Sequence, residues 1–455
     1  MVDLPKMFTW GAATASFQIE GDRAGRGDTI WDAFCDVPGA VADGTDGDVT
    51  CDHVNRYRED VAILADLGVD AYRFSVAWAR VQPTGRGDFS AEGIGFYDRL
   101  VDELLGAGIE PWLTLYHWDL PLELQHLGGW ASRRVVEPYV EYALGVQDAL
   151  GDRVKRWATH NEPWCAAWLG HGSGVHAPGI RDHALAARAT HHLLLSHGRA
   201  VAAMREQDPD AAYGIVLNLD NARAVDGSEA ATAALPDYDG VRNRVWLDPL
   251  AGRGYPEDTL ELLAPHLGGA VLEGDLAQIA TPVDFVGLNY YNDALLEAED
   301  GQVPTPDVVQ PGLERVRDAD PGDGATAMGW PVTPTGLTDI LRRVHTEYPG
   351  LGPIYVTENG SAWDDEHGTG ADGVVEDPER VAYLYAHLEA VAAARTEGVD
   401  VRGYFAWSLL DNFEWALGLG KRFGLVRVDF DTQERTVKRS WQAYRDAISA
   451  SREIP

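Results

Sequence analysis

The chain has 455 residues, of which 45% are hydrophobic and 24% charged, the composition of a globular protein with a sizeable core. Its formal net charge is −35, which repels phosphate-rich partners, so nucleic acid and anionic membrane surfaces are excluded and a neutral small ligand fits. Cys35, Cys51 and Cys165 carry no metal-ligand spacing and are too few for a disulfide framework in so long a chain, although the first two could pair. The opening Met1-Val2-Asp3-Leu4-Pro5-Lys6-Met7-Phe8 lacks a basic region ahead of an apolar core, and no apolar run is long enough to span a bilayer. A cytoplasmic location is therefore the expectation. Lysine is scarce beside arginine, a bias of base composition or of an acidic surface that stays hydrated in salt.

The elements alternate along the chain. Small and apolar residues 8–15 form a first strand, and residues 54–67 follow as a helix closed by Gly68. Residues 71–76 are the second strand and 96–105 a helix. Residues 111–116 are the third strand, ending at His117-Trp118-Asp119, and 134–150 a helix stopped by Gly151. The fourth strand starts at Val154 and ends in Glu162-Pro163, ahead of a helix over 183–207. Residues 212–217 are the fifth strand. An irregular span, 220–282, holds local helices, including one over 259–267. The sixth strand is 284–291, followed by a Gly-, Pro- and Asp-rich loop over 301–329 and a helix over 335–344. The seventh strand, 354–356, runs out into Thr357-Glu358-Asn359-Gly360. A helix over 379–393, an eighth strand over 401–407 and a closing helix over 440–450 complete the order.

Eight buried strands alternating with helices predict an α/β fold, a (β/α)8 barrel of one domain over residues 1–455 with long loops after the strands. No linker, low-complexity tract or composition break divides the chain. An open doubly wound sheet fits less well, because no Gly-rich phosphate turn follows the first strand.

The strand ends carry Gln18, Arg73, His117, Asn161 with Glu162, Asn289 with Tyr291, Glu358, and Trp407. Two carboxylates, several amides and many tryptophans suit a carbohydrate, which offers hydroxyls to polar groups and an apolar face to indoles. Glycoside hydrolysis needs one carboxyl as acid and another as nucleophile or base. Glu162, beside Asn161, Pro163 and Trp164, is expected to be raised by burial and to serve as acid/base. Glu358 is expected to stay ionised if Arg73 lies beside it and Tyr291 donates to it, and to serve as nucleophile. A retaining mechanism would place the two carboxyls about 5–5.5 Å apart.

Four stretches carry a resemblance. Thr159-His160-Asn161-Glu162-Pro163 and Val356-Thr357-Glu358-Asn359-Gly360 resemble the acid/base and nucleophile motifs of glycoside hydrolase family 1, the β-glucosidase family. So do Phe8-Thr9-Trp10-Gly11-Ala12-Ala13-Thr14-Ala15-Ser16-Phe17-Gln18-Ile19-Glu20-Gly21 and Trp407-Ser408-Leu409-Leu410-Asp411-Asn412-Phe413-Glu414-Trp415. The resemblance implies the barrel and retaining, exo-acting hydrolysis of terminal β-D-glucosyl residues from aryl and alkyl glucosides, cellobiose and short cello-oligosaccharides, hence a part in cellulose breakdown. It implies that Gln18, His117, Asn161, Glu414 and Trp415 bind hydroxyls, that Trp407 underlies the sugar ring, and that Asn289, Trp118 and Phe423 make further contacts. Trp330 matches the tryptophan on the leaving-group side. No cofactor or metal is implied, and a homo-oligomer stays open.

Glu414 stands where members acting on 6-phosphorylated sugars have a small residue, although Lys421 and Arg422 are close by. Glu162 stands where plant thioglucosidases have glutamine. His160 departs from the usual apolar residue and is expected to pack or to shift the titration of Glu162. His171, His176, His183, His191, His192 and His197 read as ordinary helix and loop histidines rather than metal ligands. β-Galactosidase, β-fucosidase or transglycosylase activity is the alternative for the same site, and a sugar-binding barrel without turnover is the alternative of another class.

Overall fold

The computed structural model describes residues 4–304 and 307–453. Met1 to Asp3, the start of the opening stretch read as lacking a basic region ahead of an apolar core, and residues 305–306 of the Gly-rich loop lie outside them. Eight parallel strands form a closed barrel: β1 (Thr9–Ala13), β2 (Ala71–Ser75), β3 (Glu110–Tyr116), β4 (Arg156–Asn161), β5 (Ala212–Asn218), β6 (Phe285–Asn289), β7 (Ile354–Asn359) and β8 (Val401–Trp407). Neighbours in the barrel are neighbours in sequence, and β1 pairs with β8 from Thr9 opposite Gly403 to Ala13 opposite Trp407. The expected barrel is thus the fold.

Each strand is buried on both faces, which is why the strands read as near-continuous apolar runs. The outward residues pack under the helices. The inward ones include four aromatic rings from β3, β6, β7 and β8: Trp112 lies 5.3, 4.8 and 5.0 Å from Phe285, Tyr355 and Phe405. These rings plug the lumen, so the barrel is a packed core below and open only above. Small residues make room for them. A Cβ on Gly11 would meet the Phe405 ring at 2.2 Å.

Most predicted helices extend by a turn or less beyond their expected ends, as in Pro334–Glu347 and Pro378–Thr396, while Ala91–Gly106 starts five residues before the expected 96. His183–Gln207 has the expected bounds. No helix among the described residues is long and apolar enough to cross a membrane.

The loops after β4, β5 and β6 depart most from the sequence reading. Cys165–Gly172 is a π-helical turn directly behind β4. The span after β5 holds the helices Glu229–Asp239, Val245–Leu250 and Glu257–Leu267. It also holds a short strand, Ala222–Ala224, which pairs with Ala294–Ala298, itself paired with Val316–Asp318. This side sheet has its own small core of Ala231, Ala234, Leu296, Val308, Leu313 and Val316. It stands on the carboxyl-terminal side of the strands and builds one wall of the cavity described next.

Candidate active site

A cavity of about 480 Å3 opens over the carboxyl-terminal ends of the barrel strands. Its lining includes His117, Trp118, Glu162, Asn289, Tyr291, Trp330, Glu358, Trp407, Glu414, Trp415 and Phe423, eleven of the fourteen residues singled out from sequence. Gln18, Arg73 and Asn161 stand behind this wall and are buried, Arg73 and Asn161 bonded to Glu358 and His117 in it and Gln18 to the Phe413 carbonyl beside it.

Local backbone irregularity aims the two carboxylates. The register between β4 and β5 shifts between Ala158 and Asn161, and that between β7 and β6 shifts between Val356 and Glu358. Such bulges re-aim a side chain at a barrel rim. The seventh strand therefore continues through Glu358 to Asn359, beyond the expected end at Val356. Gly360 then passes so close to β8 that a Cβ there would lie 1.7 Å from the Trp407 carbonyl oxygen. Glu162 has φ +45°, in the left-handed region, and so do Trp118 at +77° and Trp415 at +51°. Non-glycine residues in that region are uncommon and strained, and they cluster where function needs them.

The carboxyls have different partners. Glu358 Oε1 accepts from Arg73 Nη1 at 2.6 Å, and Oε2 accepts from the Tyr291 hydroxyl at 2.7 Å. Glu162 Oε1 accepts from Asn289 Nδ2 at 2.7 Å, and Oε2 faces the Cys165 thiol at 3.2 Å. One scaffold joins them. Asn161 Oδ1 accepts from Arg73 Nη2 at 2.6 Å and from Asn289 Nδ2 at 3.0 Å. Arg73 reaches this position from mid-strand rather than from a strand end.

Burial raises Glu162, against the hydrogen bonds of Asn289 and Cys165. Glu358 is also raised, to about 7, by burial first and by the charge of Glu162, with Arg73 and Tyr291 pulling the other way. The contacts expected to keep Glu358 ionised are in place, but desolvation outweighs them. Like charges so close titrate as a pair. The first negative charge belongs on Glu358, since only that carboxyl has a guanidinium at 2.6 Å.

The inner end of the cavity leaves polar atoms open. Gln18 donates to Asn412 Oδ1 and to the Phe413 carbonyl at 3.0 and 2.8 Å, while its Oε1 has no partner. Asn161 Nδ2 donates to His117 Nε2 at 3.1 Å, which leaves the His117 proton on Nδ1, without a partner. His117 is held neutral, far below its ordinary value, by burial and by Arg73. Glu414 Oε2 is likewise unpartnered, and burial together with the charges of Glu358 and Glu162 pushes this carboxyl up to about 8. Buried polar atoms are normally satisfied, so three open ones at one cavity end mark a place for a polyhydroxylated ligand. His117 lies between the Trp407 and Trp415 rings, 5.8 Å from each and within 20° of parallel. Trp415 is backed by Phe17, Trp31 and Trp118. On the outer side Tyr291, Trp330 and Phe423 form an aromatic group with centroids 5.5–6.1 Å apart.

Cations near the sugar end are already engaged. Lys421 Nζ donates to the Ala327 carbonyl at 2.5 Å, and Arg422 donates to Asp411 and to the Val428 carbonyl. His160 faces away from Glu162, stacked on Tyr139 at 4.6 Å and bonded to Ser196 Oγ at 2.9 Å. Burial keeps it neutral, so it packs. Among the other histidines, His171, His183 and His192 bond backbone carbonyls, His197 bonds Thr159, and His191 bonds Tyr255 and Asp275. His176 packs its ring against Trp31 and Trp118. Among the described residues no group of three His, Cys, Asp or Glu could hold a metal ion.

Sequence reasoning missed Cys165, Asn218, Asp220 and Arg242, which line the cavity beside Glu162. Cys165 offered one signal, its place three residues after a carboxylate at a helix start. Arg242 offered none, since its approach depends on the fold of the span after β5.

Comparison with known proteins agrees with this geometry. Residues 2–453 match the family model described as Glycosyl hydrolase family 1. β-Glucosidase A of Thermotoga maritima is 44% identical over 447 residues, covering 98% of this chain and 97% of that protein. The crystal structure of a psychrophilic β-glucosidase from Micrococcus antarcticus superposes with a TM-score of 0.93 at 46% identity, covering 99% of this chain and 98% of that one. That of the Thermotoga maritima β-glucosidase in complex with deoxynojirimycin gives 0.91 at 42% identity, covering 99% of both.

Proposed function

The chain belongs to glycosyl hydrolase family 1 and is a β-glucosidase, and from that premise we propose a retaining, exo-acting mechanism with Glu358 as nucleophile and Glu162 as acid/base. The observation that carries it is the unequal provision for two buried carboxyls at one cavity. Glu358 has a guanidinium and a phenol, which favour the anion. Glu162 has only neutral donors, so it holds the proton. Glu358 attacks the anomeric carbon while Glu162 protonates the departing oxygen. Glu162, now ionised, then takes a proton from water, which displaces Glu358. Two inversions give net retention.

The terminal glucose occupies the inner end. Gln18 Oε1 accepts a hydroxyl, His117 Nδ1–H donates to one, and Glu414 Oε2 takes a third. Asn161 holds His117 in the required tautomer, and the Trp407 ring underlies the sugar. The wall of Trp415, Trp31 and Phe17 closes that end, so a chain end enters but a chain cannot thread through. Phosphorylated sugars are disfavoured by Glu414 and by the engagement of Lys421 and Arg422. The outer wall of Trp330, Phe423, Leu295, Leu313 and Met328 suits aryl and alkyl leaving groups as well as a second sugar of cellobiose. We further place the chain in cellulose breakdown and in the cytoplasm, where its three cysteines persist as thiols, and treat it as one catalytic unit.

Proton NMR of the first-formed sugar tests the reading: β-glucose must appear before α-glucose, and α-glucose first would overturn retention. Glu162→Ala should lose about 10²–10⁴-fold on poor leaving groups and regain rate with azide on good ones. Absence of azide rescue would remove Glu162 from the acid/base role.

A further inference from the structure

Cys165 begins the turn behind β4, one helical turn beyond Glu162, and is 5% exposed. Its Sγ stands 3.2 Å from Glu162 Oε2. Burial and the nearby charge of Glu162 push this thiol far above its ordinary value, so the sulfur carries a proton to donate. A second acceptor is in reach. Turned with its oxygen toward Arg242, the Asn218 amide accepts from Nη1 and Nη2 at 2.9 and 3.1 Å. The same amide position lies 3.3 Å from Sγ. Arg242 is itself held by Asp220 at 2.9 Å and lies over the Trp164 ring at 4.0 Å. One S–H therefore sits between an acceptor fixed by an arginine and a carboxyl whose protonation changes twice in every turnover.

We propose that Cys165 is a positioning residue for the acid/base: its S–H donates to Glu162 when that carboxyl is ionised and turns to Asn218 when Glu162 carries the proton. This rests on the assignment of Glu162 as acid/base. No bond forms or breaks at sulfur, and its proton stays in place. The thiol steadies the ionised form, the base of the second step, without occupying Glu162 during the first. The other charged or titratable groups facing Glu162 are Arg73 on β2, His117 after β3, Arg242 after β5, Tyr291 after β6, Glu358 on β7 and Glu414 after β8. None of them changes in a Cys165 variant, so a shift in titration reports the thiol.

The test compares Cys165→Ala and Cys165→Ser with the wild type, following kcat/KM for an aryl glucoside across pH. Loss of the donor weakens the ionised form, so the basic limb of the alanine variant moves up by about 0.5–1 pH unit. Serine, which keeps a donor, brings it back. A limb that stays put in the alanine variant, or a loss by one factor at every pH, makes Cys165 a space-filling residue and overturns the proposal. If the alanine variant does not fold, the wild-type infrared S–H stretch, assigned by its loss in Cys165→Ser, decides. It shifts to lower frequency above the basic limb if the proposal holds, and an unmoved band overturns it. Failure of azide rescue in Glu162→Ala would overturn the acid/base assignment itself. Rescue with an unmoved limb overturns the role of Cys165 alone.

Discussion

Asp411 and Glu414 stand three residues apart on the loop after β8 and have opposite surroundings. Asp411 is fully buried, with Oδ1 accepting from Lys438 Nζ and the Gly424 amide, each at 2.9 Å, and Oδ2 from Arg422 at 3.2 Å. Lys438 is also fully buried and reaches Asp365 as well. Glu414 meets no cation, leaves Oε2 open and lies in the field of two further carboxyls. Burial alone therefore does not mark a functional charge. A paired carboxylate holds the loop, and an unpaired one is available to a ligand. The loop that Asp411 anchors is the one that presents Glu414 and Trp415 to the cavity.

Substitutions on either side can break that contrast. The largest effect is expected from Glu358→Gly, an open-cavity carboxyl: turnover of p-nitrophenyl β-glucoside should fall by at least about 10⁴-fold while the thermal transition is retained or rises. Loss of the fold together with the activity would show that Glu358 is structural. Lys438→Met attacks the paired side. It removes the buried cation shared by Asp411 and Asp365, leaving Asp411 with Arg422 on its other oxygen, and should cost about 3 kcal/mol in urea unfolding. A stable Lys438→Met protein would mean the pair is dispensable and the contrast empty. Glu414→Gln should lower kcat/KM by about 10–100-fold above about pH 8, where the carboxyl is ionised, the worth of a hydrogen bond to a charged group, with stability unchanged or improved. The smallest effect sharpens the comparison through pH. Glu358 and Glu414 are raised from 4.5 to about 7 and about 8, so folding favours their protonated forms. Their stabilising contribution is complete below the ordinary carboxyl range and is lost as pH rises through about 7 and 8. The melting temperature should fall across that window, and Glu414→Gln should flatten its upper part.

The barrel was legible because eight buried strands alternate with helices, and a glycine closes several of them. The two carboxylates were legible because each ends a strand in a short polar motif. What escaped the sequence arises between distant segments. The bulges that turn Glu162 and Glu358 inward follow from pairing with β5 and β6, which no local pattern records. The side sheet joins residues 222–224, 294–298 and 316–318, each segment too short to show a periodicity. Arg242 comes to Asn218 and Trp164 only through a span read as irregular. The rise of Glu358 to about 7 was not foreseen, because contacts can be guessed from neighbouring motifs, whereas the depth of burial cannot.

The left-handed backbone at Glu162, Trp118 and Trp415 has a consequence for engineering. Each such residue costs roughly 1–2 kcal/mol that glycine would not. A thermostability screen blind to turnover would therefore be drawn to these three positions. Each gain in heat resistance there would remove a proton donor or an indole from the cavity. A useful screen for this protein must select on hydrolysis and melting together.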